Sequence, residues 1–200
     1  MNKYELYKLK VAGLSNEQVF RIVSYWEMNG DWPDLEQIAQ LAGCRNQALF
    51  IERYIRIDDQ ILREEFKEFD SISIMDEEYP EELLWMHNPP VLLFYEGNID
   101  LLKHPKIAVV GSRRCSRIGI HSVEKIINEL NNELVVVSGL AKGIDAASHY
   151  AAIRNGGKTI GVIGTGLDVY YPRCNKQLQK HMSERYLVLT EYGPGQGPQK

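Results

Sequence analysis

From residue 71 onward, short runs rich in β-branched and aromatic residues alternate with helix-length stretches. That alternation restricts the fold more than any other feature. The runs fall at 72–75, 91–95, 107–110, 134–137, 159–163 and 186–190, and the helical stretches between the last four at 117–130, 144–154 and 175–183. Strand–helix–strand repetition requires right-handed βαβ crossovers, which predict a parallel sheet flanked by helices on both faces. Before residue 70 the pattern is helical and poor in glycine. Ser15 and Gln18 are spaced as a capping box for a helix running to about Asn29. Leu35, Ile38, Ala39, Leu41 and Ala42 form one face of a second helix, and residues 49–69 supply one or two more. Gly13 and Gly43 fall at the turns. The expected organisation is a small helical domain over 1–70 and an α/β domain over 71–200.

Several classes are excluded early. The longest apolar run is about six residues, near 90–95, far below the ~18 of a membrane span. MNKYELYKLK is amphipathic and is not a secretory signal. Cys44, Cys115 and Cys174 lie far apart with no CxxC pair, so neither a disulfide framework nor a metal site is encoded, and a reducing cytoplasm fits best. There is no internal repeat and no low-complexity tract, only a Gly/Pro-rich end over 193–198. Charge is divided unevenly. Residues 1–100 hold 9 Lys and Arg against 20 Asp and Glu, and residues 101–200 hold 14 against 7, with four of the five histidines. Such asymmetry points to a polyanion on the second half, or to two oppositely charged surfaces facing each other.

Open parallel sheets bind ligands beyond the carboxyl ends of their strands. Those ends read Gly111-Ser112-Arg113-Arg114-Cys115-Ser116-Arg117, Ser138-Gly139-Leu140-Ala141-Lys142-Gly143 and Gly164-Thr165-Gly166-Leu167-Asp168. Glycine admits close approach of an anion to the backbone, helix starts offer free N–H groups, and arginine presents a fork matched to phosphate oxygens. Arg113, Arg117 and Lys142 therefore suit a phosphate-reading groove, although tight βα turns use Gly and Ser for geometry alone. Tyr170-Tyr171-Pro172-Arg173 adds an aromatic beside a cation; Tyr171 is either a stacking platform for a base or a packed core residue. Lys200 is a further cation.

Nucleotide fingerprints are absent. Gly157-Lys158-Thr159 has the tail of a phosphate-binding loop, but Ala152 stands where its first glycine belongs and a strand follows. A dinucleotide motif starting at Gly164 and Gly166 fails at Val169. No G-x-S-x-G elbow exists, and Ser138 reads as a turn hydroxyl. Cys115 at a helix start reads as a small turn residue, His149 four residues after Asp145 as a structural or anion-facing histidine, and the strand-end carboxylates Asp168 and Glu191 as loop braces; no catalytic set, cofactor site or metal site emerges.

Four blocks, IAVVGSRRCSRIG, VVSGLAKGIDAASHYAAI, GKTIGVIGTGLDVYYPRCNKQL and LVLTEYGPGQGP, resemble the DNA-processing protein A family (DprA, also called Smf). The resemblance runs from about residue 71 to the end, and the helical segment before it is similar to the family's sterile-alpha-motif-like domain. It implies a Rossmann-like sheet and a protein without known catalytic activity. Such a protein binds single-stranded DNA taken up in natural transformation, shields it, helps load RecA recombinase onto it and forms homodimers. It further implies phosphate contacts at Arg113, Arg173 and Lys200, with Gly111, Ser112 and the turn carrying Lys142 completing the phosphate-facing loops. The strand-end reading adds Arg117, Ser138, Gly139, Gly164, Gly166 and Tyr171. Family members continue past E-Y-x-P-G into F-P-x-R-N-R-I-I-x-G-L and more strands, so a truncated product with an open sheet edge is expected, with dimerisation and RecA contact in doubt. The rival readings are a Rossmann-like enzyme or sensor for a nucleotide or nucleoside monophosphate, and a non-functional remnant.

Overall fold

In the computed structural model, residues 2–130 and 133–198 are described. They fall into two compact units, Met1–Leu93 and Phe94–Lys200. One six-stranded sheet runs in the order β1-β2-β6-β5-β4-β3, with β1 at Asp70–Ser73, β2 at Leu92–Gly97, β3 at Lys106–Ala108, β4 at Val135–Ser138, β5 at Thr159–Ile163 and β6 at Leu187–Thr190.

The first unit holds α1 (Lys3–Val11), α2 (Asn16–Asn29), α3 (Leu35–Leu41), α4 (Gln47–Arg56), α5 (Asp59–Lys67) and the short α6 (Glu81–Leu84). Local signals set the helix ends. The expected Ser15–Gln18 box is formed at the start of α2, Asp34 and Gln37 make a second at α3, and Gly30 closes α2 at φ +79°. The Gln18 side chain also donates to Ala42 O at 2.9 Å, tying the start of α2 to the end of α3. Leu6, Leu9, Val19, Ile22 and Ala39 form a fully buried core, and Tyr7 stacks on Phe66. Cations here are largely neutralised in place, with ion pairs Lys3–Asp76, Lys8–Asp59, Arg21–Glu17, Arg56–Glu52, Arg63–Asp59 and Lys67–Glu64. Hydrogen bonds from Lys8 and Tyr4 hold the Asp59 carboxyl well below the usual carboxylate range.

The second unit carries α7 (Arg117–Glu129), α8 (Ile144–Arg154) and α9 (Lys176–Arg185). Strands β3, β4, β5 and β6 are parallel, as the alternation requires. β2 runs antiparallel to β6, with Phe94 opposite Thr190 and Gly97 opposite Leu187, so the sheet is mixed. The reason lies in the short link from β2 to β3. It stays at the amino end of the parallel strands, where Asn98 N donates to Tyr186 O and Val135 N to Pro105 O. A strand that must finish where β3 begins has to run against its neighbour.

Each crossover steps the same way across the sheet, so right-handed connections place α7, α8 and α9 on one face instead of both. Val136 packs with Ile127, Ala151 and Ala152 on that face. Gly161, paired with Ser138 on the same face, lies under Leu140 and Met182 of α9. The opposite face, Val135, Ile160, Leu187 and Leu189, packs against Leu101 from a 3-10 turn at Ile99–Lys103. β3 is shorter than expected. After Ala108 the chain keeps one ladder bond, Val109 N to Val137 O, and then lifts off the sheet, leaving Val110 exposed.

Candidate phosphate-binding groove

Four parallel strands put four successive turns on one edge, and a groove of about 690 Å³ opens there. Arg113 comes from the turn after β3, and Gly139, Ala141 and Lys142 from the turn after β4. The turn after β5 contributes Gly164, Thr165, Tyr171, Pro172 and Arg173, and the segment after β6 adds Tyr192 and Pro198.

Glycine packing sets the positions of these turns. A Cβ on Gly111 would lie 2.8 Å from Ile144 Cγ1, and one on Gly143, at φ +83°, would overlap the Ser112 carbonyl. The first turn therefore sits directly on the start of α8, where Ile144 N donates to Ser112 O and Gly111 N to Asp145 Oδ1, each at 3.3 Å. Within the second turn, Leu140 takes a left-handed φ of +55° and buries its side chain against Gly161. Asn175 donates from its side chain to Leu140 O and Ala141 O at 2.8 and 3.1 Å, locking the second turn to the entry of α9. Gly166 N donates to Gln196 O, and Gly195 N donates to both Asp168 oxygens at 2.9 Å, which straps the Gly/Pro segment onto the third turn. The Tyr171–Pro172 peptide is cis.

Arg113, Lys142 and Arg173 are exposed, and among the described residues none of them makes an ion pair. Three cations from three separate turns thus face one concavity without a carboxylate to neutralise them. Tyr171 is 52% exposed on the same wall, as a ring available for stacking and not a core residue. Such a wall can bind a phosphate chain and lay a base against an aromatic face.

The structure brings Arg113, Gly139, Lys142, Gly164, Tyr171 and Arg173 together. The other sequence candidates lie elsewhere. Gly111 and Ser112 support the first turn, Ser112 Oγ accepting from Arg114 N at 3.1 Å. Arg117 opens α7 as an exposed residue behind the Ser116 cap. Ser138 is buried, with its hydroxyl donating to Val109 O at 2.6 Å, and Gly166 is buried against the Gly193 carbonyl. Lys200 lies outside the described residues. His149 and Asp145 are not partners: Asp145 holds Gly111, and His149 Nδ1 meets Thr159 Oγ1 at 2.7 Å. Asp168 braces Gly195. Sequence reasoning did not single out Ala141, Ile163, Thr165, Pro172, Tyr192 and Pro198; the Gly/Pro pattern at 193–198 was the signal for the last of these. Among the described residues no cluster of three or more His, Cys, Asp or Glu could hold a metal ion, and no helix is long and apolar enough to cross a membrane.

Fold and groove define a Rossmann-like protein with a cation-lined edge receptive to a polyanion. The chain belongs to the DNA recombination-mediator protein A family, whose model matches residues 70–200, while the sterile alpha motif domain of DNA processing protein A matches residues 1–62. It is 57% identical to DNA processing protein DprA of Streptococcus pneumoniae over its whole length, which is 71% of that protein. It is 41% identical to the Bacillus subtilis DprA over 136 residues, 65% of this chain and 44% of the relative. The X-ray structure of the Streptococcus pneumoniae protein superposes with a TM-score of 0.98 over all of this chain and 71% of that one. DNA processing protein A from Helicobacter pylori, solved for its single-stranded DNA binding mode, is 28% identical with a TM-score of 0.58, over 66% of this chain and 60% of that one.

Proposed function

We propose that the second unit binds the sugar–phosphate backbone of single-stranded DNA in this groove, and that the protein shields strands taken up in natural transformation and passes them to RecA recombinase. The observation that carries the reading is the convergence of Arg113, Lys142 and Arg173, unpaired, on one concavity. Arg113 and Arg173 grip phosphates, Lys142 adds a mobile charge, and the glycine turns let the strand lie close to the backbone. Tyr171 stacks a base. Arg117 stands beside the first turn as an outer cation, and Lys200 is assigned to the same track. The Helicobacter pylori relative's single-stranded DNA binding mode supports the nature of the ligand.

In this reading the protein is a binding protein of the cytoplasm without catalysis. Its helical domain extends to about residue 70, and homodimerisation and RecA contact are those of the whole family protein. The groove's volume alone would also suit a small ligand, since such pockets span roughly 300–1,000 Å³. Fluorescence anisotropy separates the two. A labelled strand should bind in competition with unlabelled single strands and not with duplex or mononucleotides. Arg113→Ala should weaken it about tenfold and reduce the dependence of log K on log salt by ~0.7, one phosphate on a single strand. An unchanged affinity and slope would remove the groove from the mechanism.

A further inference from the structure

We propose that the phosphate track continues beyond the groove along α9, where Lys176 and Lys180 hold the next one or two phosphates of the same strand; this rests on the groove reading above. The two lysines lie four residues apart, about 6 Å along the axis, a step on the scale of one sugar–phosphate repeat. Both are exposed. Their ammonium groups converge on the ring of Tyr170, at 4.7 and 5.8 Å from its centroid. The face of that ring attracts both ammonium groups and gathers two positive charges at one place on the surface. Among the described residues neither lysine makes an ion pair, although Glu184 stands four residues after Lys180 at a spacing suited to one. The same order of base and acid is used in α7, where Lys125 meets Glu129 at 4.0 Å. The Lys180 side chain instead leans back toward the start of its helix, as long helical side chains do.

That start is the end of the groove. Tyr171 and Arg173 line the groove, the 3-10 turn Arg173–Asn175 runs straight into α9, and Asn175 fastens this junction to the turn bearing Lys142. A strand leaving the groove past Arg173 therefore meets Lys176 and then Lys180 on a rigid support. The observations fit a flexible polyanion that already occupies the groove, more than a separate partner with its own recognition surface.

The test uses the full chain and oligothymidines of roughly six and roughly twenty nucleotides, lengths on either side of the span of one groove. The K176Q/K180Q double variant should reduce the salt slope for the long strand by ~1.4, two phosphates at ~0.7 each, and leave the short strand unaffected. K176R/K180R should keep the original slope. Arg113→Ala should weaken both lengths. If the long strand keeps its slope in K176Q/K180Q while Arg113→Ala still weakens binding, the extension is wrong and the groove stands. Equal losses for both lengths would place the lysines inside the groove and also overturn the extension. An Arg113→Ala variant with no effect would remove the groove reading, and this proposal with it.

Discussion

His149 sits wholly buried on α8 beneath the carboxyl end of β4, and its ionisation ties the stability of the second unit to pH. Thr159 Oγ1 donates to Val136 O at 2.8 Å, so its lone pair accepts Nδ1–H of His149, a bond that fixes the ring's orientation in either charge state. Nε2 has no hydrogen-bond partner of good geometry. Burial, which penalises the charged ring, lowers the pKa from 6.5 to about 4, and a backbone contact with Ser138 only partly opposes it. The unfolded chain therefore takes up a proton at this residue that the folded one refuses. Stability is full above about pH 6.5, falls as pH drops from 6.5 toward 4, and levels off below that. The shift corresponds to about 3 kcal/mol. His149→Asn keeps an amide near Nδ1 and removes the titration. At pH 7 this variant should be less stable by a kcal/mol or two through the cavity it leaves; because the wild type alone loses about 3 kcal/mol on acidification, the two curves should cross and the variant should be the more stable by about 1–2 kcal/mol at pH 4. Amide hydrogen exchange of β4 and β5 is the suitable probe, because Trp26, Trp32 and Trp85 all report on the first unit. Parallel pH curves for the two proteins would show that His149 is charged in the fold or reached by water, and would refute the argument.

Two further predictions concern the walls of the groove. Gly143→Ala places a methyl group against the Ser112 carbonyl at a positive φ, so it should cost on the order of 1–3 kcal/mol and disturb the first and second turns together; a thermal melt with unchanged single-strand affinity would contradict this. Asp168→Ala releases Gly195, and exchange of that amide should quicken about fivefold, for roughly 1 kcal/mol lost, while the salt slope of binding stays unchanged because no cation is removed. Unaltered protection of Gly195 would show that the Gly166–Gln196 hydrogen bond alone holds the strap.

Much of the site was legible because strand ends in a parallel sheet share an edge. Arg113 and Lys142 each follow a β-branched run at short range, and the strand-end pattern groups them together with Arg117, which the structure sets at the start of α7 instead; Arg173, well past its run, is marked by the tyrosines beside it and by the family resemblance. Ser138 and Gly166 belong to the same local patterns but point inward, one bonding across to β3 and the other receiving the terminal segment. A turn motif says which residues lie at the edge and not which side chains face out. Tyr192 and Pro198 were legible only as part of a Gly/Pro-rich ending. They reach the groove through pairing with a turn some thirty residues earlier, and no local spacing encodes that.

The sequence by itself determined the helix caps, the succession of strands and helices, the break in character near residue 70 and the cation-bearing turns, because each depends on neighbours within a few positions. Tertiary structure decided the antiparallel course of β2, the gathering of α7, α8 and α9 on one face and the burial of His149. It also decided which cations stand unpaired around a common space. These depend on how a short link spans the end of the sheet and on which distant carboxylates come within reach, and those distances exist only once the chain has packed.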